Sequence, residues 1–349
     1  MKLINSVETC VDENLRGLVY THPGLRLHPG YRVVTLNQKS PNKVAILTGG
    51  GSGHEPFTAG FIGDGALSGA VAGGIFASPP TSNILYGISH LCGHYHGGVL
   101  VIIPNYTGDR LNFGKAIEKA KIAGLKVEGL ILGEDVASSA NKTGGRGMCG
   151  LVVLYKMCGA MAADGMDLDY IFDMAKTISK RMATLSVCLK ACSLPGQPPL
   201  FEIAHGELDL GAGVHGEAGI ERRKLGTAKE TIELVLGKIL SHLSLAAKDR
   251  VAVMINNLGS TSVLEVNILA MEIKEFLNSK NIRLERIYSG HLMTSLEMHG
   301  VQICVLHLNS EHGDNWLQLL DAKTNAPGWP GGELSLVKLE KMLRTKRIY

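Results

Sequence analysis

The chain has 349 residues, 45% of them hydrophobic and 5% aromatic, with 43 glycines and a net charge of +3. That length suits two domains, and the hydrophobic fraction is enough to bury a sizeable core. No dense basic stripe of the kind nucleic acids require is present, and no apolar run reaches bilayer-spanning length. A nucleic-acid or membrane role is therefore not expected. The first residues show no charged-then-apolar leader, and the seven cysteines, at 10, 92, 149, 158, 188, 192 and 304, are odd in number without zinc spacing. They read as reduced thiols, which predicts a soluble cytoplasmic protein.

Along the chain, apolar residues at helical spacing predict a helix over residues 3–19, ending before His22-Pro23-Gly24. A short apolar run at 43–48 predicts a buried strand that enters Gly49-Gly50-Gly51-Ser52-Gly53-His54-Glu55-Pro56. A second strand at 98–103 ends at Pro104-Asn105-Tyr106-Thr107-Gly108-Asp109, followed by a helix over 110–123 and a third strand at 127–132. Helical patterns cover 148–163 and 168–190; Cys188 and Cys192 lie four apart and on a helix would share a face. Residues 193–199 hold three prolines and a glycine and mark a division. Beyond it, strands are predicted at 250–255, 284–288 and 301–308, with a helix running to 279. From Ala322 the chain turns polar, like the start of a linker. The expected fold is α/β: two α/β domains with mainly parallel or mixed sheets covered by helices. Their bounds are 1–192 and 200–335, with 336–349 as a tail or linker.

Functional loops in open α/β sheets gather at the carboxyl ends of strands. The glycine-rich run is not a phosphate loop of the Walker type, because no Lys-Ser or Lys-Thr follows it, and position 56 is Pro where G-x-G-x-x-G needs Gly. Its backbone N–H groups could cradle an oxygen anion, or the run could be a tight structural turn with His54 at its mouth. Asp109 reads either as a helix N-cap or as a functional carboxylate. In Gly211-Ala212-Gly213-Val214-His215-Gly216-Glu217-Ala218-Gly219, the glycines would let a ligand approach an imidazole, and neutral imidazole is a competent nucleophile. His94 and His96 could bind metal at a strand edge, but no third ligand is evident, so no metal site is predicted. Asn256-Asn257 is expected to tie down a turn.

Taken in order, Gly49 to Pro56, Asn105 to Asp109 and His215 to Gly219 resemble the three signatures of the substrate-binding domain of dihydroxyacetone kinases. Phe76-Ala77-Ser78-Pro79, Asn256-Asn257-Leu258-Gly259 and Thr294-Ser295-Leu296-Glu297-Met298 match as well, so the resemblance spans residues 2–330. It implies a homodimer whose site lies between two α/β domains. It implies His215 as the residue that forms a hemiaminal with dihydroxyacetone. His54 is implied as a catalytic histidine and Asp109 as the carboxylate that accepts the substrate hydroxyl proton. Gly51, Ser52 and Gly53 are implied as substrate contacts.

The nucleotide, ATP or ADP with magnesium, is expected in a partner all-helical domain, fused or separate, and no cofactor in this chain. Alone, the chain is expected to bind substrate without turnover. Two positions depart from the family pattern. Pro104 stands where a Lys is common, and Arg146 is the only Arg in Thr143-Gly144-Gly145-Arg146-Gly147, where two often occur. Pro104 keeps a second reading open, that of a ketose-binding regulatory or coactivator paralogue without kinase activity. FAD splitting, known among fused relatives, would depend on the helical domain.

Overall fold

The computed structural model describes residues 2–38, 40–308 and 311–331. The first half builds a six-stranded sheet from β1 (Leu25–His28), β2 (Val33–Leu36), β3 (Ala45–Ser52), β4 (Gly69–Ile75), β5 (Val99–Pro104) and β6 (Val127–Leu132), in the order β1-β2-β4-β3-β5-β6. β4, β3, β5 and β6 run parallel, and β1 and β2 are antiparallel additions. The second sheet, ordered β11-β10-β12-β7-β8-β9, uses β7 (Met182–Lys190), β8 (Glu207–Leu210), β9 (Glu221–Lys224), β10 (Arg250–Asn257), β11 (Arg283–Gly290) and β12 (His299–His307). Only β10 and β11 pair in parallel there. The expected mixed α/β architecture holds.

The helices are α1 (Cys10–Thr21), α2 (Thr81–Cys92), α3 (Thr107–Ile122), α4 (Gly150–Ala163), α5 (Leu168–Ser179), α6 (Ala228–His242), α7 (Val263–Ser279) and α8 (Gly313–Asp321). Strand side chains alternate between faces, and this sorts the core. Ile46, Leu100 and Ile102 join a central cluster, while Leu47, Val101 and Ile103 pack outward with α2 and α3. In the second sheet, Met254, Cys304 and Leu306 join that same central cluster, and Val253, Ile255 and Ile303 face α6 and α7. The helix between the sheets is α4, buried at every residue from Gly150 to Ala162. A helix apolar all round belongs in a core, and its one cation, Lys156, donates to the Leu319 carbonyl at 2.6 Å.

Three expectations change. The first helix begins at Cys10 rather than residue 3. The helix expected over 168–190 stops at Ser179, and Met182–Lys190 is a strand that pairs with β12 and β8. A short apolar run does not reveal its period, and pairing decides the outcome. β7 thus joins the second sheet ahead of the proline-rich segment, and Cys188 and Cys192 share no helix. The polar segment after Ala322 is packed rather than free: Asp64 N donates to Asn325 Oδ1 at 2.7 Å and Gly328 N to the Gly60 carbonyl at 2.8 Å. The expected tail at 336–349 lies outside the described residues. Among the described residues, no helix is long and apolar enough to cross a membrane.

Candidate functional site

The first half of the glycine-rich run, through Ser52, is strand. A Cβ at Gly49 would sit 2.4 Å from the Val71 carbonyl oxygen, and one at Gly51 would sit 2.8 Å from Ala77 N, so glycine lets β3 lie close to β4 and the loop after it. Gly53 has φ +98, a conformation that disfavours side chains, and a Cβ there would meet the Phe76 ring at 2.8 Å. Two of the expected substrate contacts already have partners in the chain. Ser52 Oγ donates to the Gly73 carbonyl at 2.9 Å, and Gly53 N–H donates to the Glu55 carboxylate at 3.0 Å.

This geometry delivers His54 to a buried position. Its Nδ1–H donates to the Thr294 carbonyl at 2.8 Å, and its ring stacks on Phe76 with centroids 4.7 Å apart. Its Nε2 lies 3.0 Å from Nε2 of His215, which comes from the loop after β8. Only 1% of His54 is exposed, whereas His215 keeps 23% of its side chain exposed, so His215 is the member of the pair that an incoming molecule can touch. Burial, and then the charge of His215, push the His54 imidazole down to about 3, despite the opposing pull of the Thr294 carbonyl and Glu217. Phe76 and Tyr106 flank the His215 ring edge to face, with centroids 5.2 and 4.7 Å away.

Asp109 lies in the first turn of α3, two residues inside its start, and Tyr106 occupies the N-cap. The capping reading of Asp109 is thereby replaced. Its Oδ1 is buried without a hydrogen-bond partner. Burial pushes the carboxyl from 3.8 up to about 6, and Ser78 and His215 pull it only partly back. A buried carboxylate oxygen without a hydrogen-bond partner, within reach of the charge of His215, is costly unless something else uses it.

Residues outside the expected set hold these groups in place. Glu217 Oε2 accepts from His215 N at 2.8 Å, and its Oε1 lies 3.2 Å from His215 Nδ1. Arg146 donates through Nε to Asp135 and through Nη2 to the Gly211 carbonyl, each at 2.6 Å. Asn105 Nδ2 donates to the Thr143 and Gly145 carbonyls at 2.9 and 2.6 Å, which pins the loop that carries Arg146. Asn256 ties down a turn, as expected: its Oδ1 accepts from Leu292 N and Met293 N at 3.0 Å, just before Thr294. Glu217, Phe76 and Thr294 all lie in stretches that matched the family, and that was the signal available for them.

His94 Nδ1 lies 2.8 Å from the His90 carbonyl, at the end of α2 rather than on a strand edge. Among the described residues, no group of three His, Cys, Asp or Glu side chains could hold a metal ion. Pro104 ends β5 and is buried, with Cγ 4.0 Å from where a Gly50 Cβ would be.

Comparison with known proteins follows the same lines. The chain is 42% identical over 337 residues to the triokinase/FMN cyclase of Rattus norvegicus, covering 94% of this chain and 58% of that protein. It is 36% identical over 334 residues to the dihydroxyacetone-binding subunit DhaK of a PTS-dependent dihydroxyacetone kinase of Listeria innocua, covering 94% and 99%. The crystal structure of the dihydroxyacetone kinase from C. freundii in complex with AMP-PNP and Mg2+ matches with a TM-score of 0.87 and 33% identity, over 95% of this chain and 61% of that one. The chain thus spans little more than half the length of the triokinase relatives. The Dak1 domain family model matches residues 16–328, from within α1 to the segment packed on Gly60, and the chain belongs to that family, as its three ordered loops implied.

Proposed function

We propose that this chain is the substrate-binding component of a dihydroxyacetone (glycerone) kinase, and that it captures the ketone as a hemiaminal on His215. The carrying observation is the imidazole pair: the His215 side chain is partly open to solvent, and its Nε2 lies 3.0 Å from a buried second imidazole. His215 Nε2 attacks the carbonyl carbon, the π electrons move to oxygen, and the oxygen takes up a proton by way of His54. Covalency supplies selectivity, because a triol and a hydroxyketone of similar size offer a polar pocket nearly the same hydrogen bonds, but only the ketone reacts. Asp109 then accepts the proton of the hydroxyl that attacks phosphorus. Such assistance contributes about 10²–10⁴-fold.

The phosphoryl group in this reading comes from ATP, or from tightly bound ADP that has itself been phosphorylated, with magnesium, in a helical partner subunit or fused domain. A cytoplasmic homodimer is part of the same proposal. Mixing the chain with dihydroxyacetone and following the adduct by crystallography or rapid intact-mass measurement tests the first step. His215→Ala is expected to abolish the adduct, and undiminished ketone affinity in that variant would remove His215 from the role. Adding a helical subunit, ATP and magnesium tests the second step, with dihydroxyacetone phosphate as the product.

One observation favours a regulatory, non-kinase reading. Pro104 places a neutral, buried ring where the family commonly has a Lys, so no cation is available there for substrate or transferred phosphate. Adduct formation without any phosphorylated product in the complete mixture would select that reading.

A further inference from the structure

The two site histidines confront each other through like atoms, and their other nitrogens are both committed. His54 Nδ1 lies 2.8 Å from the carbonyl oxygen of Thr294, which can only accept, so that nitrogen carries a hydrogen. His215 Nδ1 lies 3.2 Å from Glu217 Oε1. Burial pushes the Glu217 carboxyl up, but the hydrogen bond and charge of His215, with backbone N–H donors, outweigh burial and bring it down to about 2. Glu217 is therefore a carboxylate, an acceptor only, and His215 Nδ1 carries a hydrogen too. In a neutral imidazole the remaining nitrogen is then a bare lone pair. Two neutral rings would set two lone pairs against each other across 3.0 Å. That contact is a hydrogen bond only if a proton sits in it.

We infer that the ligand-free site stores one proton between His54 Nε2 and His215 Nε2, balanced by the Glu217 carboxylate, and that this proton is the one delivered to the carbonyl oxygen when the ketone is captured. The inference rests on the reading of His215 as the capturing residue. It makes Glu217 and the Thr294 carbonyl positioning groups, because together they fix both tautomers.

The surroundings agree with a single charge. Arg146 reaches the His215 loop and is paired with Asp135 at 2.6 Å; it also feels the Glu217 charge, but the hydrogen-bond contact of Glu217 is with the His215 ring. Tyr106 offers His215 a ring at 4.7 Å, and Phe76, which stacks on His54, is uncharged. Asp109, from α3, interacts with His215 and is itself pushed up to about 6 by burial. A second proton on the pair is resisted by the burial that holds His54 down. His215 is the more exposed ring and the one against the Glu217 carboxylate, so the proton is assigned to it, with His215 Nε2–H donating to His54 Nε2.

Capture then runs as a closed cycle. The proton crosses to His54 Nε2 and uncovers the His215 Nε2 lone pair. That lone pair forms the C–N bond, the C=O π electrons move to oxygen, and the oxygen takes the proton from His54. One positive charge is present before, as imidazolium, and one after, as the N-substituted imidazolium with Nδ1–H still on Glu217. No proton is exchanged with water. A pair of neutral histidines would instead draw one proton from solvent for each ketone bound.

The test combines nitrogen-15 NMR of histidine-labelled, ligand-free protein at neutral pH with calorimetric titration of dihydroxyacetone in two buffers of different ionisation enthalpy. The expected result is one imidazolium histidine, assigned by its loss in His215→Ala, and the same binding enthalpy in both buffers. Glu217→Gln removes the countercharge and keeps an amide at the position. It is expected to lose the imidazolium signal, to take up one proton per ketone, and to bind roughly ten- to hundredfold more weakly, the factor of one charge-assisted hydrogen bond. Two neutral site histidines in the ligand-free protein, or uptake of one proton by the unsubstituted chain, would overturn the stored proton. An imidazolium signal without any ketone binding would leave the stored proton standing and overturn the capture reading together with the delivery step.

Discussion

Arg146 and Gly211 join the two halves of the site: a guanidinium held by the loop after β6 donates to the carbonyl oxygen at the entrance of the His215 loop, 2.6 Å away. The other end of the same fork is fixed on Asp135, whose side chain is fully buried. The Arg at 146 therefore acts as a strut. Lysine cannot span both partners, because it lacks the planar fork. Arg146→Lys and Arg146→Met are both expected to weaken dihydroxyacetone binding by roughly tenfold or more, since each loses a buried charge-assisted hydrogen bond. Calorimetric titration would show this, and unchanged affinity in both variants would remove the strut.

Asp109 carries an opposite pair of effects. Its carboxyl is pushed from 3.8 to about 6, so the fold favours the protonated form. The sign follows from linkage: the folded protein holds the proton more tightly than the unfolded chain, and stability falls as pH rises from about 4 through about 6. Asp109→Asn removes that cost and is expected to stabilise the fold at pH 8 by on the order of 1–3 kcal/mol, with little gain at pH 4. The same variant should bind ketone normally and lose about 10²-fold or more of the phosphorylation rate in the complete mixture. Denaturant melts at the two pH values, set beside the assay, check both halves.

Gly53 is expected to tolerate no side chain. Alanine there combines a positive φ with a clash against Phe76, whose ring is the platform under His54. Backbone strain of this kind costs about 1 kcal/mol or more. Displacement of Phe76 would also misplace His54, so Gly53→Ala should impair ketone binding more than it lowers the melting temperature. Undisturbed binding would show that the platform is not needed.

Glu134 anchors the start of α4. Its carboxyl accepts from Gly150 N at 2.8 Å, Met148 N at 3.1 Å and Thr184 Oγ1 at 3.1 Å, and burial still pushes it up to about 7. Glu134→Ala leaves three buried donors unpaired. Such groups cost about 1–3 kcal/mol each, with partial recovery by relaxation. A loss of several kcal/mol in urea unfolding is expected, enough to unfold a marginal domain.

β5 was legible because burial on both faces leaves a continuous apolar run, and both β5 and the half-exposed edge strand β6 end at or within one residue of where their residues predicted. β7 was not, since a nine-residue stretch after a helix can extend that helix or begin a strand, and pairing with β12 and β8 decides which. α6 was legible in principle, from the Thr227–Glu230 capping box before an apolar periodic run. At the site, His54, Asp109 and His215 could be named from ordered motifs. Their supports could not be ranked, because Arg146 meets Gly211 and Thr294 meets His54 only through the tertiary fold. Spacing also gave no hint that Ser52 and Gly53 spend their polar groups inside the chain.

The partners of His54 lie 161 and 240 positions further along the chain. Contacts of such separation form late, after long loops have been closed against chain entropy. Neither half can assemble the imidazole pair on its own. Ketone capture is therefore a readout of finished folding: a refolding chain should recover its helical signal first and its ability to bind dihydroxyacetone last.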